Sequence, residues 1–94
     1  MFLKGLLQAL PGVEEIIDQK TGITYKTTKS FAKVEFGKTF IRVLVRSFKY
    51  YDPDKMIKNI KGYLWGYEGT MRIDSVQDIE KAFNIIKQSY EETL

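Results

Sequence analysis

Ninety-four residues, 44% of them hydrophobic and 29% charged, suit one domain (1–94) with a single small core. The chain has neither cysteine nor histidine, which excludes disulfides, thiolate metal sites, and the commonest general base and metal ligand. The net charge of +3 is uneven: residues 20–61 hold eleven Lys/Arg against three Asp/Glu, whereas both flanks are acidic.

The start, MFLKGLLQAL, has an apolar run broken by Lys4, Gly5 and Gln8 and followed by Glu14 and Glu15. That pattern does not fit a signal sequence, and no apolar stretch approaches the ~20 residues of a membrane span. The expectation is a soluble, cytoplasmic protein with no membrane association. Leu3, Leu6, Leu7, Leu10, Val13, Ile16 and Ile17 fall at steps of three and four, which predicts one buried helical stripe. Pro11 should kink or divide it, and Gly22 should cap it.

Three alternating segments follow: ITYKTT, FAKVEF and FIRVLVRS. Ile23, Tyr25, Ala32, Val34, Phe36, Ile41, Val43 and Val45 form the inward set of a half-buried antiparallel meander. Gly37–Lys38 supplies a hairpin turn. DPDKMIKNIKG reads as a short helix, with Asp52 as cap, Pro53 at its first position and Gly62 at its end. GTMRID is a fourth strand, with Met71 and Ile73 inward. Ser75 and Asp78 resemble a capping box before a last helix, which carries Ile79, Ala82, Phe83, Ile86 and Tyr90 on one side. The expected fold is α+β in the order α-β-β-β-α-β-α. A four-stranded, mainly antiparallel sheet would have the N- and C-terminal helices packed on one face.

No spacing supports catalysis. Asp52 and Asp54 are accounted for as capping residues, Glu68 and Asp74 lack a recognisable partner, and Gly37–Lys38 lacks the rest of a phosphate loop. No enzyme activity, cofactor or metal is expected. The sheet face turned from the helices is the stronger candidate: Lys26, Lys33, Arg42, Arg46 and Lys49 would supply positive charge, with Arg72 of the fourth strand as a further candidate and Phe40 and Leu44 among them. Such a surface pairs with phosphates, and an exposed ring stacks on unpaired bases. The same residues also fit a merely solvated face, whose charges discourage edge association. The ribonucleoprotein aromatic signature and the glycine-flanked KH loop are both missing, so no strong sequence preference is expected.

A second candidate is GYLWGYEG, where Tyr63, Trp65 and Tyr67 either form a ligand or partner loop or close the core. Phe48, Tyr50 and Tyr51 would cover the end of the sheet or form a patch beside Lys49 and Lys55. The leading expectation is a non-catalytic nucleic-acid-binding module. The alternative is a protein-interaction or homodimerisation domain built on Leu44 and Phe40 or on the aromatic loop.

The run YKTTKSFAKVEFGKTFIRVLV, the Asp-Pro step, the glycine-rich turn and GTMRIDSVQDIEKAFNIIKQSYEE together resemble a small domain family of unknown function. Members of that family often stand at the C-terminus of nuclease-like chains labelled predicted transport proteins. The resemblance covers most of residues 23–91. It departs at Trp65-Gly66-Tyr67, where a histidine/glycine-rich turn is usual. More distantly, the order is similar to the YjbR/MmcQ-type DNA-binding-like fold, with Trp65 and Ser89–Tyr90 in comparable places. These resemblances imply the α+β fold and a nucleic-acid-associated role, without site residues to carry over.

Overall fold

The structure is a computed structural model that describes residues 2–18, 22–60 and 66–94. Helix α1 (Phe2–Gln8) is followed by strands β1 (Glu14–Asp18), β2 (Gly22–Lys26), β3 (Ser30–Phe36) and β4 (Ile41–Val45). Strands β5 (Lys58–Asn59) and β6 (Gly69–Ile73) and helix α2 (Val76–Glu92) complete the chain. All pairings are antiparallel, in the order β1-β2-β3-β4-β6-β5. The α+β class and a helix at each end therefore stand, but among the described residues the sheet has six strands and not four.

The two additional strands have distinct causes. Pro11 and Gly12, the latter at φ +75, stop the N-terminal helix after its first apolar residues. The β-branched Val13, Ile16 and Ile17 then favour an extended chain, and Glu14–Asp18 pairs with β2 as an edge strand. Gly22 begins β2 and does not cap a helix. At φ +122 it brings its Cα against the Val34 carbonyl, where a Cβ would lie only 2.0 Å from the oxygen.

The expected helix at 52–62 does not form over its described part. Lys55 adopts φ 53, and the Asp52 carboxylate accepts from Met56 N (2.9 Å) and Ile57 N (2.8 Å), beyond the reach of a helix cap. This turn delivers Lys58 into β5. Lys61 and Gly62 lie outside the described residues.

Alternation places Ile23, Val34, Val43 and Met71 in one cross-strand row and Tyr25, Ala32 and Val45 in the next. Both rows join Leu3 and Leu7 of α1 and Ile79, Ala82, Ile85 and Ile86 of α2 in one buried core. Ser75 occupies the N-cap position without a side-chain cap bond, while Asp78 Oδ2 accepts from Asp74 N at 3.3 Å.

The core is closed at a bulge. Tyr25 faces Ala32 but Lys26 faces Ser30, so Phe31 is an extra residue on β3. Its ring meets Tyr90 edge-on, with centroids 5.3 Å apart. Ser89 Oγ donates to the Phe31 carbonyl (2.6 Å) and accepts from Arg46 N (3.2 Å), while Tyr90 Oη donates to Pro11 O (2.6 Å). On the outer surface, Gln88 and the Tyr51 backbone exchange two hydrogen bonds of 2.8 Å each.

Ser89→Ala should leave a buried carbonyl and a backbone N–H without partners, at a cost of about 1–3 kcal/mol. Urea unfolding should show a lower midpoint with an unchanged slope. A shift under about 0.5 kcal/mol, the usual size for a neutral surface change, would mean that the bulge holds without the serine.

Buried phenols predict a second dependence. Burial, with the adjacent Glu92 carboxylate, pushes Tyr50 from 10.0 up to about 12, against lowering contacts from Ser89 and Arg46. Tyr25 is raised as well, by burial and then by its hydrogen bond to Glu15. The folded state therefore keeps protons that the unfolded state releases. This contribution is intact below pH 10 and declines as pH rises from 10 towards 12. Unfolding free energies measured at stepped alkaline pH should fall in that window, and Tyr50→Phe should flatten the decline.

Candidate functional site

The face opposite the helices is organised by two cross-strand rows. Lys33 of β3, Leu44 of β4, Thr70 of β6 and Lys58 of β5 make the first. Glu35, Arg42 and Arg72 make the second. Arg42 and Arg72 are thus direct cross-strand neighbours, a like-charge arrangement that is unfavourable by itself. Each has a carboxylate beside it: Glu35 lies 3.7 Å from Arg42, and Asp74 accepts from Arg72 Nε at 2.9 and 3.1 Å. The two arginine side chains remain 51% and 60% exposed.

Between these residues lies a cavity of about 480 Å³. Leu44, Met56 and Ile60 give it an apolar lining, and Arg42, Lys58 and Arg72 bring the positive charge. Thr70 and Asp78 complete the wall. Thr70 Oγ1 is buried beneath it, the one buried side-chain polar atom among the described residues without a hydrogen-bond partner. A buried polar atom without a partner costs about 1–3 kcal/mol.

Phe40 borders this cavity in a supporting position. Arg72 Cζ sits 4.2 Å from its ring centroid, a cation–π contact. Gly37 approaches the ring so closely that a Cβ there would fall 2.7 Å from Phe40 Cε1. The hairpin closes with Gly37 N donating to Phe40 O at 2.9 Å. The ring is therefore held against the turn with Arg72 upon it.

The residues expected from sequence divide clearly. Arg42 and Phe40 meet at the cavity. Lys33 is on the same face but buried, 4.0 Å from Glu35. Lys26 stands opposite Glu14 and Ser30, at the end of its strand. Lys49 is exposed beyond β4, 5.7 Å from the Phe48 ring centroid. Arg46 does not join the set: its guanidinium donates to Ser30 O (2.9 Å) and pairs with Glu92 of α2 (3.3 Å). It lines a separate polar cleft with Lys29, Ser47 and Glu68.

Leu44 is 1% exposed and cannot be the centre of an exposed apolar patch. Tyr67 is buried, and burial raises its phenol pKa despite lowering contacts with Ser30 and Arg46. Tyr63 and Trp65 lie outside the described residues. Arg72, the further candidate for the basic face, stands on that face directly beside Arg42. Lys58 was assigned to a helix, and neither its strand nor its neighbours could be read from local alternation.

Among the described residues no helix is long and apolar enough to cross a membrane, and no group of three or more His/Cys/Asp/Glu could hold a metal ion. Comparison of the chain with models of protein families, with curated proteins and with solved structures gives no match.

Proposed function

We propose that this domain is a non-catalytic binding module for nucleic acid, contacting backbone phosphates through Arg42, Arg72 and Lys58. The supporting observation is the direct pairing of Arg42 with Arg72 beside the cavity. Two guanidinium groups on neighbouring strands repel one another, and an anion between them removes that penalty. The arginine side chains stay 51% and 60% exposed beside Glu35 and Asp74, so each can reach a phosphate while keeping its carboxylate. The resemblance to the YjbR/MmcQ-type fold points the same way, and the reading goes with a cytoplasmic location.

The protein-interaction alternative draws on a different place. Ile16 and Ile17, 50% and 62% exposed on edge strand β1, offer apolar surface that Leu44 does not. A dimer seen in sedimentation and dissolved by Ile17→Asp would favour that reading.

The deciding measurement is fluorescence anisotropy with labelled DNA and RNA over a range of salt concentrations. Three phosphates neutralised should give a log–log slope of about −2 for single strands. Arg42→Ala/Arg72→Ala should flatten that slope by roughly 1.4 while leaving the fold intact by circular dichroism. No binding even at low salt, or a slope unaltered in the double variant, would overturn the proposal. Arg46 is unsuitable for this test because its replacement would disturb the bulge.

A further inference from the structure

We infer that the cavity receives one unpaired base, so that the module selects single strands over duplex. The inference rests on the nucleic-acid reading and deepens it. Around the cavity the structure combines three features that phosphate binding alone does not require.

The first is size and lining. A space of about 480 Å³ falls within the range of small-ligand sites, roughly 300–1,000 Å³. Met56 and Ile60, both half-buried, give it apolar walls suited to a flat ring, whereas a phosphate is bound well by a shallow charged surface.

The second is a stacking plate. Arg72 rests on the Phe40 ring at 4.2 Å and is fixed by Asp74, yet its side chain is 60% exposed. A guanidinium supported on one side by an aromatic ring offers its other side to a base. Phe40 thus acts through Arg72: Gly37 and the arginine already occupy its surroundings, and the arginine provides the contact.

The third is polar capacity in the wall. Asp78 lines the same space and accepts only a backbone N–H at 3.3 Å, which leaves lone pairs for an N–H of a base.

A base inside a duplex is stacked on both faces and has its pairing edge occupied, so it cannot enter. An unpaired base can, lying on the guanidinium face of Arg72 with its flanking phosphates at Arg42, Lys58 and the N–H edge of Arg72.

The test compares four labelled probes of equal length: a DNA single strand, an RNA single strand, a duplex, and a strand in which abasic residues replace every base. Each is titrated at one low salt concentration and across a salt series. The expected result is that both single strands bind at least about tenfold more tightly than the abasic strand, the size of one stacked base. Their salt slopes should match, because the phosphates are the same, and the duplex should bind more weakly.

Arg72→Lys provides a separate readout. Lysine keeps the positive charge but has no planar face to stack on a base, so affinity for the single strands should fall while affinity for the abasic strand and the salt slopes hold. A role for Arg72 in charge alone would leave both affinities unchanged.

Equal salt-sensitive binding of base-bearing and abasic strands would overturn the base pocket and leave the phosphate surface standing. Tighter binding of the duplex would do the same. Absence of salt-sensitive binding to every probe would overturn the nucleic-acid reading itself, and the pocket assignment with it.

Discussion

The hydrogen bond from Ser89 to the Phe31 carbonyl is the constraint on which the architecture turns. An extra residue in β3 interrupts the ladder and leaves backbone groups in need of partners. Helix α2 supplies one through Ser89, and the same hydroxyl accepts from Arg46 N just past the end of β4. The side chain of Arg46 then bonds Ser30 O, one residue before the bulge. Three elements are thereby fixed to one another at a single serine. Tyr90 extends the attachment to Pro11 and packs on the very residue that the bulge inserts.

That arrangement decides which cations the opposite face can use. Strict alternation along β4 would put Arg42, Leu44 and Arg46 on one side. The bulge breaks the pattern at its end, and Arg46 becomes part of the attachment between sheet and helix. The remaining charge moves across the sheet: β6 places Arg72 beside Arg42, and β5 places Lys58 beside Thr70. The basic face expected from Lys26, Lys33, Arg42, Arg46 and Lys49 is therefore centred on Arg42, Arg72 and Lys58, across β4, β6 and β5. This difference matters chemically, because neighbouring strands hold two guanidinium groups close enough to share one anion, whereas successive same-face residues of a strand are spaced further apart.

What was legible in the sequence follows from the range of the interactions that determine it. In strands β2, β3, β4 and β6 and helix α2 the apolar residues recur along the sequence at the period of their element, and nearly all of the expected inward residues are in the core. Phe36 is the exception: at the end of β3 it is exposed. β1 was hidden because Val13, Ile16 and Ile17 fit a helical stripe as readily as a strand. The presence of β2 as a partner settles the matter, and an edge strand with both isoleucines exposed has no alternation to detect. β5 has two residues, too few for any period. Leu44 looked exposable because its neighbours are arginines, yet it lies in the cross-strand row with Lys33 and Thr70 and is covered. Arg46 and Lys58 were misplaced for one reason: their surroundings depend on residues 16 to 46 positions away along the chain for Arg46, at Ser30 and Glu92, and on the pairing of β5 with β6 for Lys58.

The carboxylates around the site also bear on its chemistry. Asp52 grips the backbone N–H groups of Met56 and Ile57, and so sets the turn that brings Met56 to the cavity and Lys58 into its strand. Glu35 lies between Lys33 and Arg42, and Asp74 holds Arg72 upon Phe40. Each acid fixes a neighbouring group in position, as a preformed recognition surface requires. The acids here balance the charge of the arginines and hold their geometry.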